Sequence, residues 1–185
     1  VVIVGSGYTG LHAAIQTARA GLSTVVVDAR DAGWGCSSRN GGQISTSIKP
    51  GFTELSRRYG DAVARAILAD GQASLAFVGD FVRSEAIDCD FRVAGRFHGA
   101  HLPKSYDALA RDCAMGNPVF ATDAFMVPRD AMAAELGTDA YHGGCVYPNH
   151  ASLDPARYHA GLLARAEDAG VVVVPHCEAT SLQTG

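Results

Sequence analysis

The sequence predicts an α/β fold in which a parallel β-α-β unit is interrupted, after its second strand, by a mixed α and β insertion. Two short β-branched runs, VVIV at 1–4 and STVVVD at 23–28, are typical of buried parallel strands. An amphipathic stretch separates them. The next run of this kind, VVVV at 171–174, follows more than a hundred residues later, and this distance indicates the insertion.

The composition is that of a folded protein. The chain has 185 residues, of which 48% are hydrophobic and 18% charged. This is enough apolar material for a hydrophobic core, and the low fraction of charged residues disfavours disorder. The net charge is −4 and no basic tract occurs, which disfavours nucleic acid as a partner. No apolar run approaches the ~20 residues of a membrane helix. We therefore expect no membrane span.

The cysteines and the chain ends give two further expectations. The five cysteines are widely spaced and odd in number, which predicts buried thiols in a reducing compartment, the cytoplasm, rather than disulfides. Val1 already lies inside a strand pattern, and the final SLQTG stops at the end of a strand pattern without a closing helix. These ends predict that the chain is a fragment, incomplete at the C-terminus.

The first helix and its flanking strands form the best-defined part of the pattern. Thr9 to Ala20 places Leu11, Ala14, Ile15 and Ala18 on one helical face, and Gly21 stands at the helix-ending position. With a strand on either side, this predicts a right-handed parallel β-α-β unit. From 29 to about 50 no periodicity survives, and we expect a loop.

The remaining elements are read from periodicity and capping. We predict helices over 61–85, 104–115 and 128–136, a strand pair or bent strand over 91–102, and an extended segment over 140–148.

In LDPARYHAGLLARAEDAG, Asp154 is the expected N-cap, Pro155 the first helical residue and Gly170 the stop, with Tyr158, Leu162 and Ala166 buried. Strands follow at 171–174, fully buried, and at 178–182.

The predicted domains follow this order: 1–50 is the first part of a nucleotide-binding domain, 51–148 is an insertion that contributes to a substrate domain, and 149–185 continues the nucleotide-binding domain.

The first glycine-rich loop predicts a dinucleotide site. Gly5, Gly7 and Gly10 form G-x-G-x-x-G between a strand and a helix: the first permits a tight turn, the second a close approach to a diphosphate, and the third close helix–strand packing. The helix N-terminus attracts the phosphate charge. Asp28 ends the second strand, where a carboxylate can accept hydrogen bonds from a ribose diol, and it disfavours a 2′-phosphate. The loop does not decide between NAD and FAD.

A second glycine-rich loop, GWGCSSRNGGQI, follows a few residues after Asp28. Ser37, Ser38, Arg39 and Asn40 offer hydroxyl, guanidinium and amide donors, and the two glycines after them let the backbone approach a flat ligand. The alternative is an Asn-Gly-Gly turn beside a solvated arginine. Tyr8 and Trp34 either cover the ligand or only fill the protein surface.

Four segments in this order resemble the D-amino-acid oxidase/glycine oxidase (DAO) family of FAD-dependent oxidoreductases. They are VVIVGSGYTGLHAAIQTARAG, GWGCSSRNGGQI, GRFHGAHL and LDPARYHAGLLARAEDAGVVVV. The RNGGQ segment is most similar to the gamma-glutamylputrescine oxidase-like members. The resemblance covers the N-terminal half of such an enzyme and implies a Rossmann-like FAD/NAD(P)-binding domain.

The resemblance also implies the site. The first loop would wrap the FAD diphosphate, Asp28 with Ala29 would hold the adenosine ribose, the second loop would run to the flavin ring, and Ala179 would touch the adenine. The implied cofactor-binding residues are Gly5, Gly7, Tyr8, Thr9, Gly10, Asp28, Ala29, Ser37, Ser38, Arg39, Asn40, Gly41, Gly42, Gln43 and Ala179. Two departures are Asp28, where the family more often has Glu, and Cys36, which replaces a small residue and is expected to be buried.

The function expected from these residues is FAD-dependent oxidation of an amine or amino acid, with hydride transfer from the C–N bond to the flavin, hydrolysis of the imine, and O2 or another electron acceptor. No residue of this chain is predicted to be catalytic, and no metal site is expected, because the seven histidines show no ligand spacing. The alternatives are an NAD-linked reductase and a non-catalytic fragment that binds no cofactor.

Overall fold

The computed structural model of the chain describes residues 1–46, 48–120 and 122–183. The elements are β1 (Val2–Val4), α1 (Tyr8–Arg19), β2 (Val25–Val27), β3 (Gln43–Ile44), α2 (Phe52–Tyr59), α3 (Asp61–Ser84), β4 (Arg96–Gly99), α4 (Pro103–Phe120), β5 (Phe125–Val127), α5 (Met132–Leu136), β6 (Gly144–Tyr147), β7 (Ala151–Ser152), α6 (Pro155–Asp168) and β8 (Val172–Val174). Single 3-10 turns lie at Cys36–Ser38 and Arg129–Ala131.

The chain divides into two compact units. The first comprises Val1–Gln43, Gly79–Phe91 and Leu153–Gly185, and the second comprises Ile44–Val78 and Arg92–Ser152. The domain ranges expected from the sequence remain a prediction.

The first unit contains the predicted parallel sheet, with strand order β1-β2-β8. The register aligns Val2 with Val25 and Val25 with Val172, and all three strands run parallel. Helix α1 packs on β1 and β2 through the buried Leu11 and Ile15, and α6 packs on α1. The predicted β-α-β unit and its late third strand are therefore confirmed.

One face of this sheet is not buried, which corrects the expectation that the strands are covered on both faces. Side chains alternate along a strand, so Ile3, Val26 and Val173 share one face and their neighbours share the other. Val26 is fully buried, but Val2, Val4 and Val172 are 69%, 68% and 56% exposed. Within the described residues only the first face is covered by helices.

Helix α6 begins and ends as its sequence predicts. The Asp154 carboxylate accepts hydrogen bonds from the N–H groups of Ala156 (2.9 Å) and Arg157 (3.0 Å), and a proline occupies the first turn. Gly170 follows the helix with φ +85°, a left-handed conformation that favours glycine. Tyr158, Leu162 and Ala166 are buried as predicted, and His159 is buried beside them.

The second unit is mixed α and β. Its three-stranded antiparallel sheet has the order β4-β6-β5, and α4 packs against β5 and β6. The buried side chains of this contact include Leu109, Cys113 and Cys145. In the same unit the short strand β7 pairs with β3, of which Ile44 belongs to the second unit. Arg92 and Ser152 form an isolated antiparallel β-bridge.

Several predicted elements are corrected by the structure. The 91–102 segment is one strand and an isolated bridge, and its strand pairs with β6 rather than with itself. Helix α2 and strand β5 had no sequence prediction. Residues 178–182 are irregular and exposed, not a strand, because no described strand pairs with them.

The cysteines are also partly corrected. All five are free thiols, but only Cys89, Cys113 and Cys145 are buried. Cys36 begins an exposed 3-10 turn and Cys177 lies in the exposed segment after β8, so neither is the buried thiol expected. Burial raises the pKa of Cys145 to about 11, which keeps that thiol protonated at neutral pH.

Among the helices in the described part of the chain, none combines the length and the apolar character needed to cross a bilayer.

Candidate cofactor-binding site

The first glycine loop brings the start of α1 against the end of β1. Gly5 has φ +96°, and its N–H donates to the Val27 carbonyl at 2.8 Å. A Cβ on Gly10 would lie 1.9 Å from the Gly5 carbonyl oxygen, so only glycine permits this approach. The turn therefore depends on the two glycines that the sequence pattern singles out.

The start of α1 leaves backbone donors available for a ligand. Leu11 is the first helical residue whose N–H donates to a backbone carbonyl, that of Gly7, at 3.0 Å. The Tyr8 N–H donates to the Ser37 hydroxyl at 3.2 Å. Within the described residues, the N–H groups of Thr9 and Gly10 have no acceptor. Such donors, aligned with the helix dipole, favour an anion.

Asp28 closes the opposite side of the turn. Its Oδ2 accepts hydrogen bonds from the Ser6 N–H (2.7 Å) and the Ser6 hydroxyl (2.6 Å), and its Oδ1 accepts one from the Arg30 N–H (3.0 Å). An ionised carboxylate has about four acceptor positions, so these bonds leave one on Oδ1 among the described residues. A ribose hydroxyl can donate to that position.

The protonation of Asp28 follows from these contacts. Partial burial acts to raise the pKa of Asp28, but the hydrogen bonds from Ser6 and Arg30 and the nearby His159 outweigh it and lower that pKa below its ordinary value. The side chain is therefore a carboxylate at neutral pH and accepts hydrogen bonds only.

His159 of α6 contacts the first glycine-rich loop through a buried hydrogen bond. Its Nε2 donates to the Ser6 carbonyl at 2.7 Å, and the ring is 4% exposed. A Cβ on Gly33 would lie 2.6 Å from the ring's Nδ1, so the start of the second loop is packed against this ring. His159 was not predicted as a site residue, although its position directly after Tyr158 on the buried face of α6 is a signal of this role.

Two cations flank an exposed aromatic ring at the site. The guanidinium groups of Arg30 and Arg39 lie 5.2 Å and 5.0 Å from the centroid of Trp34, which is 50% exposed. Trp34 is thus neither a core residue nor fully covered. The sequence analysis did not identify Arg30, although it stands two residues after the strand-ending acid.

The second loop is held in shape mainly by its own side chains. The Asn40 amide donates to the carbonyls of Cys36 and Ser37 (both 3.1 Å), and its Oδ1 accepts the Gly42 N–H at 2.8 Å. The Ser38 hydroxyl donates to the Gly33 carbonyl. These two side chains are therefore occupied within the loop.

The end of the second loop lies against the start of α6. Gly42 has φ +66°, and a Cβ there would lie 2.0 Å from the Leu153 carbonyl. The Leu153 N–H donates to the Gly42 carbonyl at 2.9 Å, and the Tyr8 hydroxyl donates to the Pro155 carbonyl at 3.2 Å. The Asn-Gly-Gly turn is thus packed and not merely solvated.

A cleft of about 120 Å³ joins the parts of this site. Its lining combines the first loop, the strand-ending acid and the second loop: Ser6, Gly7, Asp28, Arg30, Gly33, Trp34, Gly35 and Ser37. Of the residues implied by sequence, the structure brings Gly7, Asp28 and Ser37 to this lining.

The other implied residues lie outside that lining. Gly5, Tyr8, Thr9 and Gly10 adjoin it in the first loop and helix, and Ala29 follows Asp28. Arg39 adjoins it over Trp34, whereas Gly41 and Gln43 are exposed further along the loop. Ala179 is in the exposed segment after β8 and does not line the cleft.

His12 of the first helix is a packing residue. Its ring lies against Phe81 in a tilted arrangement with centroids 4.6 Å apart, and its Nε2 lies 2.9 Å from the Tyr158 hydroxyl. Burial lowers the pKa of His12 and raises that of Tyr158 to about 12, so both are neutral at pH 7. No group of three or more metal-ligating side chains is found in the part of the chain that was described.

The turn, the strand-ending acid and the cleft together have the arrangement that is typical of dinucleotide-binding α/β folds. The model of the DAO family, described as FAD dependent oxidoreductase, matches residues 1–185, and the chain belongs to this family. The resemblance stated from the motifs is therefore confirmed, as is the interrupted α/β fold class.

Curated relatives agree with this assignment. The chain is 37% identical over 102 residues to gamma-glutamylputrescine oxidoreductase of Escherichia coli (strain K12), covering 52% of this chain and 23% of that protein. It is 31% identical over 173 residues to the probable oxidoreductase OrdL of Rhizobium meliloti (strain 1021), covering 92% of this chain and 40% of OrdL. The chain thus spans less than half the length of these relatives.

Solved structures share the fold. Glycine oxidase from Bacillus cereus ATCC 14579 superposes with a TM-score of 0.72 at 16% identity, covering 100% of this chain and 48% of the oxidase. L-amino acid deaminase from Proteus vulgaris gives 0.76 at 21% identity, covering 100% of this chain and 41% of the deaminase.

Proposed function

We propose that this chain binds FAD at the cleft of the first unit and is the cofactor-binding part of an enzyme that oxidises an amine or amino acid. The observation that carries the proposal is the cleft lining, in which Gly7, Asp28 and Ser37 come from three separate segments. A diphosphate next to the start of α1 would meet unpaired N–H groups, and a ribose next to Asp28 would meet an unused acceptor position.

Each residue implied by the family has a role in this proposal. Gly5, Gly7, Tyr8, Thr9 and Gly10 surround the diphosphate, and Asp28 with Ala29 holds the adenosine ribose. Arg39, together with Arg30 on the same tryptophan ring, offsets the diphosphate charge. The remaining positions, which follow the cofactor toward the flavin ring or contact the adenine, are Ser37, Ser38, Asn40, Gly41, Gly42, Gln43 and Ala179.

The chemistry assigned to the bound cofactor is acceptance of the hydride that leaves the substrate C–N bond. The residues of this chain bind and orient: the glycine turn fixes the diphosphate, and Asp28 fixes the ribose as a hydrogen-bond acceptor. The family assignment and the named relatives, an amine oxidoreductase and a glycine oxidase among them, support an amine or amino acid as substrate. Electrons then pass to O2 or another acceptor.

The test is a titration of the purified chain with FAD, followed by quenching of flavin fluorescence and by thermal shift. We expect saturable binding that Asp28→Ala and Arg39→Ala both weaken. The matched control is Arg111→Ala, an exposed arginine of α4 that does not line the cleft. Its affinity for FAD should equal that of the unmodified chain.

Two rival functions give different outcomes in the same experiment. An NAD-linked reductase would bind NADH in preference to FAD, with Arg39→Ala having no effect. A non-catalytic fragment would show no thermal shift with either dinucleotide. Repetition with the full-length parent protein separates the second rival from a fragment that has only lost affinity.

The proposed location is a reducing compartment, the cytoplasm. The support is the presence of exposed free thiols at Cys36 and Cys177, which oxidising compartments tend to convert to disulfides. Fractionation of cells that carry the native protein tests this location directly.

A further inference from the structure

The second unit contains a cavity that the proposed FAD site does not use. It has a volume of about 200 Å³ and is lined by the loop before α2, by one face each of α3 and α4, and by Tyr147 of β6. Because water occupies about 30 Å³ per molecule, this space matches roughly six or seven non-hydrogen atoms. A short, unbranched organic molecule has that size.

The walls of this cavity are more apolar than polar, and Thr46, Gln72 and Thr122 add polar side chains to them. Ile48, Leu68 and Met115 approach it from the loop, α3 and α4, and Phe52 adds an aromatic ring. The Tyr147 ring is stacked on His150 at 5.0 Å, and burial raises the pKa of its hydroxyl, so it stays neutral. An alkyl chain in this half-open cavity would be partly removed from water.

One charged side chain lines the described part of the cavity, and it is acidic. Asp112 of α4 is exposed to solvent while lining the cavity, which places its carboxylate at the mouth. In the described residues it forms no ion pair. The Arg65 guanidinium lies 5.2 Å from the centroid of the Phe52 ring and does not itself line the cavity.

We propose that this cavity binds a short aliphatic amine, with the alkyl chain between Leu68 and Met115 and the ammonium group at Asp112. The carboxylate selects a cation over a carboxylate or an alcohol of the same length, because a cation at the mouth of a partly desolvated cavity interacts more strongly than in bulk water. The site is separate from the FAD cleft in its residues, and its occupation requires no cofactor.

The experiment measures binding of n-pentylammonium chloride to the purified chain by amide chemical-shift titration at low salt, without FAD. We expect saturable shifts for residues of α3 and α4 that line the cavity, weaker binding of 1-pentanol, and the weakest binding of sodium pentanoate. Asp112→Asn should weaken the affinity for pentylammonium about five-fold, the range of a partly exposed ion pair.

Two variants separate the cavity from a general surface effect. Asp107→Asn removes another exposed carboxylate of the same helix that does not line the cavity, and it should leave the affinity unchanged. Leu68→Trp fills the cavity and should abolish binding of all three probes. Equal binding of pentylammonium by Asp112→Asn, equal affinity for pentanoate, or no saturable binding at all would overturn the proposal.

Discussion

Single atoms decide the geometry of the glycine turn. A Cβ at Gly10 would sit 1.9 Å from the Gly5 carbonyl, so any side chain forces the start of α1 away from β1. Because the Cβ position is fixed by the backbone and the carbonyl is itself backbone, no rotamer change relieves this contact.

We expect Gly10→Ala to lower the free energy of unfolding by about 1–3 kcal/mol, the usual cost of overpacking. Urea denaturation measures this change. Gly41→Ala is the control, because a Cβ there meets nothing within 4 Å, and its stability should match the unmodified chain. Equal stability of the two variants would mean that the close approach does not exist.

Asp28 is a second residue whose chemistry is fixed by its contacts. Its pKa is lowered in the folded chain, so the ionised form stabilises the fold above the unfolded value of about 3.9. That contribution is lost as the pH falls through the folded pKa.

We expect Asp28→Asn to lower the melting temperature at pH 7 and to lower it progressively less as the pH falls below about 4, because the stabilisation by the ionised carboxylate declines from the unfolded pKa downward. Thermal denaturation across pH 3–7 measures the difference. Asp70→Asn, an exposed carboxylate of α3, should show a small difference that does not change with pH in this way. A pH-independent gap for Asp28→Asn would contradict the ionic role.

At the scale of elements, α6 depends on its first turn. Asp154 satisfies two of the N–H groups that a helix leaves without partners, and it does so with ordinary hydrogen-bond lengths of 2.9 Å and 3.0 Å. His159, which supports the glycine loop, is carried on the second turn of the same helix.

We expect Asp154→Ala to destabilise the chain by about 1 kcal/mol, and Asp154→Ser to restore most of the loss because serine caps helices nearly as well. Equilibrium unfolding in urea measures both. If alanine and serine are equally destabilising, charge rather than capping explains the effect.

The elements that sequence predicted share a strong local signal. The β-α-β unit has β-branched strands and a 3.6-residue apolar period, and α6 has a cap, a proline and a stopping glycine. Strand β5 has only three residues, whose side chains range from half exposed at Phe125 to buried at Val127, so its identity depends on pairing with β6 and not on local pattern. The 178–182 segment has strand-like residues, but no described strand pairs with it.

At the scale of the whole molecule, the parallel sheet presents an apolar face. Val2 and Val4 of β1 and Val172 of β8 are each more than half exposed, and the register places them on one face of the sheet, on either side of the half-buried residues of β2. Contiguous apolar surface of this kind mediates association in soluble proteins.

We expect the isolated chain to bind the dye ANS at this face, and the double variant Val4→Thr/Val172→Thr to reduce the ANS fluorescence clearly at unchanged secondary structure. Val93→Thr, an equally exposed valine in the second unit that is not in this sheet, is the matched control and should leave the signal unchanged. Undiminished fluorescence in the double variant would place the dye elsewhere.

The sequence by itself determined the β-α-β unit, the position of the glycine turn, the acid that ends the second strand and the family, because each depends on residues close together in the chain. Only the tertiary structure decided that Ser37 meets the start of α1, that His159 supports the Ser6 carbonyl and that one sheet face is exposed. These features join segments up to 153 residues apart, and side-chain packing between such segments leaves no periodic signal in the sequence.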